Sequence, residues 1–205
     1  TPVRVAANVV TFAVGNYHSL FVTADGTLWG TGSNWTGQLG DGTSSERHSP
    51  VQLGAHVVTV AAGNAHSAFV KDDGSVWTVG NNGGGQLGDG SYQSRTTPLQ
   101  VATGAVAASA GDAHILFVKA DGTLWGMGSS GMGQLGNTSG PLPLQIATGV
   151  SAASAGVYHS FFLKTNGELW AMGYNYAGSW GDGTTVDHAI PVLLNTGVTA
   201  FSPGN

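Results

Sequence analysis

Four histidines, His18, His66, His114 and His159, recur at spacings of 48, 48 and 45 residues, and all but His114 are followed by serine. A histidine beside a serine could activate a nucleophile, and four imidazoles brought together could ligate a metal. The first chemistry fails on strand geometry. Neighbours in a strand point to opposite faces, and no acidic residue recurs to orient the imidazole. The second requires equivalent positions to converge on one axis. The simpler expectation is structural: each imidazole fixes its own unit by bonding a backbone group, and no metal is expected.

The carboxylates offer little more. Most stand in Asp-Gly turns, and a second set recurs at Asp41, Asp89 and Asp182. A carboxylate in such a turn accepts backbone N–H bonds. No segment matches a calcium loop of alternating Asp/Asn ligands closed by Glu, and no pair of carboxylates at glycosidase spacing can be inferred. Gly80 to Gly85 superficially resembles a phosphate cradle, but a Gln-Leu-Gly turn follows where a helix is needed. Two glycosylation sequons, Asn34-Trp35-Thr36 and Asn137-Thr138-Ser139, are read as chance. No cofactor and no enzymatic activity are expected.

The histidine spacing belongs to a larger period. Trp29, Trp77, Trp125 and Trp170 repeat it, as do Gly40, Gly88, Gly136 and Gly181. A fixed period of about 48 residues implies tandem units, here approximately 9–56, 57–104, 105–149 and 150–197, with partial-unit strands at 1–8 and 198–205. In the second unit, Val57 to Ala62, Ser67 to Lys71, Ser75 to Val79 and the Pro-led Thr97 to Val101 are strand candidates, with Asp73-Gly74 as a hairpin turn. The middle strands carry apolar residues on both faces, as in Leu20-Phe21-Val22, so sheets must stack face to face. The expected fold is all-β, a β-propeller type of four-stranded blades with four units in this chain, forming a partial propeller or arc.

Composition narrows the partners. Charged residues are 8% of the chain, the net charge is −5, and six Lys and Arg are scattered singly, which leaves no basic stripe for nucleic acid. No apolar run approaches the roughly 20 residues of a membrane-spanning helix, so no membrane insertion is expected. There is no cysteine. A cysteine-free, charge-poor, Gly/Ser/Thr/Asn-rich chain fits a bacterial exported protein, extracellular or at the cell surface.

The block Gly15-Asn16-Tyr17-His18-Ser19, Asp25-Gly26-Thr27-Leu28-Trp29-Gly30 and Gly37-Gln38-Leu39-Gly40-Asp41-Gly42 resembles the regulator of chromosome condensation repeat. The resemblance extends over nearly the whole chain, and it implies a propeller of four-stranded blades, commonly seven. It also implies diverse functions: nucleotide exchange on a small GTPase, ubiquitin-ligase adaptors and secreted inhibitors of hydrolases. Fold alone does not choose among these. The third and fourth units depart from the pattern, with His114-Ile115, Asn137-Thr138 and Gly178-Ser179-Trp180-Gly181.

Against the constant His, Trp and Gly, the segment after each Trp-x-x-Gly varies: Asn34-Trp35-Thr36, Asn82-Gly83-Gly84, Ser130-Gly131-Met132 and Asn175-Tyr176-Ala177. Variation on a constant frame marks a recognition surface. Trp35, Tyr92, Met132, Tyr174, Tyr176 and Trp180 are its bulky members, suited to a protein partner or to stacking on a glycan. The flanking strand types occur five times and the His-to-Trp hairpin four. A fragment of a longer propeller, an arc that self-associates through open sheet edges, or a compact closure would each account for that mismatch.

Overall fold

A computed structural model describes residues 1, 3–137 and 140–201, without the side chain of Asn137. The chain folds into four successive antiparallel sheets, each of four strands hydrogen-bonded in chain order. The first holds β1 (Val9–Val14), β2 (His18–Thr23), β3 (Leu28–Gly32) and β4 (Arg47–Gly54). The second holds β5 (Val57–Ala62), β6 (His66–Lys71), β7 (Val76–Gly80) and β8 (Arg95–Ala102). The third holds β9 (Ala105–Ala110), β10 (His114–Lys119), β11 (Leu124–Gly128) and β13 (Gly140–Ala147), with a short β12 (Gln134–Asn137) in the loop before β13. The fourth holds β14 (Val150–Ala155), β15 (His159–Lys164), β16 (Leu169–Gly173) and β17 (His188–Asn195). The all-β, four-blade architecture expected from the sequence is present. The Pro-led strand begins two residues earlier than expected, at Arg95, because the chain rejoins β7 at the Arg95–Gly80 pair.

Each central hairpin is closed by its Asp-Gly or Asn-Gly turn. Gly74 adopts φ 78°, which a Cβ would oppose, and Asp73 Oδ1 accepts the Ser75 N–H at 2.9 Å. One residue on each side of the hairpin is aromatic. Phe21, Phe69, Phe117 and Phe162 lie directly opposite Trp29, Trp77, Trp125 and Trp170, and the rings stack at 6.2–6.4 Å. The repeated tryptophans therefore hold the hairpin, as their invariance within the chain implies. In the last three blades Lys71, Lys119 and Lys164 lie over those indoles at 4.6 Å.

Because side chains alternate, each blade has two apolar faces. Leu20, Val22 and Leu28 of the first blade, with Leu39 of its loop, pack on Val60, Phe69 and Trp77 of the second. Ala68, Val70 and Val76 of the second pack on Phe117, Met127 and Trp125 of the third. Leu116, Val118 and Leu124 of the third pack on Phe162 and Trp170 of the fourth. The rule is constant: the aliphatic face of one blade covers the Phe–Trp face of the next.

Among the described residues the four sheets follow one another without closing into a barrel. In the first blade Phe12, on the inner strand, is 72% exposed, whereas Phe21 is buried, with Val5 and Ala6 lining the same grooves. Neither 3–8 nor 198–201 forms a strand, so the partial-unit strands expected at the two ends are not seen among the described residues. Pro2, Gly204 and the Thr138-Ser139 part of the second sequon lie outside the described residues. Among the described residues no helix is long and apolar enough to cross a membrane.

Candidate recognition surface

The repeated histidines are buried, with His66 and His114 fully enclosed. They do not fix their own blades, as expected, but reach forward to the next one. His18 Nε2 lies 2.9 Å from Ser67 Oγ, and His114 Nε2 lies 3.0 Å from Ser160 Oγ. Each serine in turn donates its hydroxyl proton to a carbonyl of the preceding blade, Gln38 or Gln134, at 2.6 Å. The imidazole is therefore the donor and the serine is not a nucleophile: its proton is committed and the pair is sealed from solvent. Neighbours in a strand point to opposite faces, which lets Ser67 and Ser160 face the preceding blade.

At the middle joint Ile115 stands where the serine would be, so the buried His66 meets no hydroxyl there. Burial holds these imidazoles neutral, with His18 and His66 lowered to about 4 and His114 to about 3. Among the described residues no group of three or more His, Asp or Glu side chains is placed to hold a metal ion. Beside the rings, Gly15, Gly63 and Gly111 let the blades approach: a Cβ on Gly63 would stand 2.5 Å from the Gly111 carbonyl oxygen.

The pairing of His18 with Gly32 puts the turn before β2 and the loop after β3 on one rim of the arc. In that loop Asn34 is fully buried. Its amide donates to Asp41 Oδ1 and the Thr43 carbonyl, both at 3.0 Å, while its oxygen accepts Leu39 N–H at 2.9 Å. Asn82 and Asn175 do the same in their blades, and Ser130 takes over part of the role in the third. These first positions of the variable segments are thus scaffold. The Asn34 sequon offers no accessible acceptor. Burial alone would raise the Asp41 and Asp89 carboxylates, but bonds from Thr43 with Arg47, and from Ser91 with Arg95, outweigh it and hold both at about 2. Arg47 and Arg95 Nε reach them at 2.7 and 2.6 Å, locking each loop onto the outer strand.

The next position in each loop is the exposed tip. Trp35 is 71% and Tyr176 73% exposed, with glycine at the same place in the middle blades. Tyr92 and Met132 are also exposed on this rim. Tyr174 is half-buried, stacked on Tyr176 at 6.0 Å and 19°, and meets Tyr158 edge-on at 6.2 Å. Tyr158 was missed by comparing only the segments after tryptophan. The residue before each histidine, Tyr17, Ala65, Ala113 and Tyr158, varies too and would have revealed it. Trp180 does not belong to the surface. It is 6% exposed, occupies the position of Leu39, and packs with Phe161 and Ala171 while stacking on His188 at 5.7 Å.

Where the four inner turns meet, Gly15, Asn64, Asp112 and Val157 border a cleft of about 40 Å³, room for a few waters at most. Asn64 Nδ2 closes it by donating to Asp112 Oδ1 at 2.7 Å. The rim therefore presents projecting rings around a filled centre.

Family models of the regulator of chromosome condensation (RCC1) repeat match residues 25–70 and 73–118, and in a second form 9–38, 57–86, 105–134 and 150–179. The chain belongs to the RCC1 repeat family. Its RCC1 repeats superpose on human WBSCR16 with a TM-score of 0.82 at 27% identity, covering 92% of this chain and 53% of that one. Yeast RCC1 (Prp20) bound to Kap60 gives a TM-score of 0.81 at 24% identity over 97% of this chain and 51% of that one. Prp20p of Saccharomyces cerevisiae, described with its binding properties to Gsp1p and histones, gives 0.81 at 24% over 97% and 53%. The chain thus spans about half the length of these propellers. Among curated proteins no sequence matches.

Proposed function

We propose that these RCC1 repeats form a non-catalytic recognition module of an exported bacterial protein, acting outside the cell or at its surface and binding a protein partner through the loop rim. The observation that carries the reading is the Tyr158–Tyr174–Tyr176 cluster beside a tip that is glycine in the middle blades, with Trp35 projecting from the first blade of the same rim. Exposed Trp and Tyr supply binding energy with little conformational entropy to lose. Binding of Gsp1p and histones by Prp20p supports a protein as ligand class, without naming the partner here. The cysteine-free, charge-poor composition supports export.

A glycan is the second reading. It is favoured by the near-parallel Tyr174 and Tyr176 rings, whose faces suit stacking on a sugar. Pull-down from the source proteome, set beside a glycan array, separates the two. The protein reading expects specific retention of a protein, lost in Trp35→Ala and Tyr176→Ala, and an empty array. Selective glycan binding lost in the same variants would replace it.

A further inference from the structure

We propose that the loop rim takes a basic segment of its partner, whose lysine or arginine side chains lie on the exposed rings of the first and fourth blades beside Glu46 and Asp187. The inference rests on the reading of the rim as the binding surface and adds the chemistry of what binds there. Three rim positions change together along the chain: the residue before the histidine, the loop tip, and the residue before the outer strand. They are Tyr17, Trp35 and Glu46 in the first blade and Tyr158, Tyr176 and Asp187 in the fourth. In the second they are Ala65, Gly83 and Ser94. Rings and carboxylate come and go as a set. Trp35 stays 71% exposed although the second blade follows it, so the exposure of the tip belongs to the loop itself.

The carboxylate is more than the loop requires. Asp187 Oδ1 accepts the Asn175 N–H at 2.6 Å, between Tyr174 and Tyr176. In the second blade the uncharged Ser94 hydroxyl accepts the equivalent Asn82 N–H at 3.2 Å. The chain also spends its cations elsewhere. Of its six Lys and Arg, Arg47 and Arg95 pair with Asp41 and Asp89, Lys71, Lys119 and Lys164 lie over the hairpin tryptophans, and Arg4 precedes the first blade. Among the described residues no Lys or Arg pairs with Glu46 or Asp187, and Glu46 Oε2 has the exposed His48 ring at 4.0 Å. The opposite rim shows what completes such a site. There Lys164 Nζ lies 4.6 Å from the centre of the Trp170 ring and 3.7 Å from Glu168 Oε2, a cation held by a ring face and a carboxylate together. The loop rim holds ring and carboxylate, and the partner brings the cation.

The test is NMR titration of the 205-residue chain with acetylated, amidated pentalysine at low salt, with pentaglutamate as control. The Trp35 indole N–H and the Asn175 and Tyr176 amides shift and saturate with pentalysine and stay still with pentaglutamate. The double variant Glu46→Gln, Asp187→Asn keeps the acceptor oxygens and the wild-type unfolding midpoint, and weakens this binding about tenfold. No shift at Trp35 and Tyr176, equal affinity in the double variant, or shifts as large at the Asp121 turn overturns the proposal. A proteome partner lost in Trp35→Ala and Tyr176→Ala but held equally by the double variant also overturns it, and leaves the rim reading standing. Loss of that partner in the double variant as well supports both.

Discussion

His18 in the first blade and Ser67 in the second share a 2.9 Å hydrogen bond buried between their sheets, although 49 residues separate them. The same hydroxyl donates to the Gln38 carbonyl at 2.6 Å, so one serine satisfies two groups of the neighbouring blade. Ser67→Ala leaves both without a partner. It should lower the unfolding free energy by about 1–3 kcal/mol. Urea denaturation measures this, and a loss within error would show that the joint does not depend on the bond.

The buried imidazoles make stability fall in mild acid. His18, His66 and His114 titrate at about 4, 4 and 3 in the folded chain, against 6.5 for the free side chain. Between pH 6.5 and about 4 the unfolded chain therefore takes up protons that the folded chain refuses. Their contribution is complete above pH 6.5 and declines by about 1.4 kcal/mol per pH unit for each histidine below it. Asp41 and Asp89, held at about 2 against 3.8, add a further loss only below about pH 4. Thermal melts from pH 7.5 to 4 should show a steady fall, shallower in His66→Leu. A flat profile over that range would contradict it.

Two glycines separate close approach from backbone conformation. At Gly104, φ is 78° and a Cβ would meet nothing within 4 Å, so Gly104→Ala pays only for the left-handed backbone, about 1–2 kcal/mol. At Gly63 a Cβ would collide with the Gly111 carbonyl and the His66 ring. Gly63→Ala should then cost distinctly more, about 3 kcal/mol or above. Equal losses in chemical denaturation would mean that the blades can draw apart at no cost.

Adjacent loop residues should behave in opposite ways. Asn34→Ala removes bonds to Asp41, Thr43 and Leu39 inside a buried cradle and should destabilise by about 2 kcal/mol. Trp35→Ala, one residue on, should stay within about 0.5 kcal/mol of wild type because its ring is exposed. Denaturation midpoints of the two variants check this directly.

That contrast also marks how far the sequence could be read. The period of His, Trp and Gly revealed the blades, and Asp-Gly turns placed the hairpins, because both are local. The direction of the His18–Ser67 bond was not legible, since it depends on how one blade leans on the next. Asn34 looked like part of a variable segment because Ser130 replaces it once, yet its role is a cradle that needs Asp41 and Thr43 in place. Trp180 looked like a surface ring and proved to fill a leucine position. Tyr158 became a site residue only when the turn before β15 was seen to meet the loop after β16.

The reading of the loop rim as the binding surface is met most directly by site-specific photocrosslinking in the source cells. A benzoylphenylalanine at position 176 is compared with one at Asp121, in a hairpin turn on the opposite rim. One discrete protein adduct at position 176, absent at 121, is the expected result. Adducts at 121 alone, or the same pattern at both positions, would contradict it.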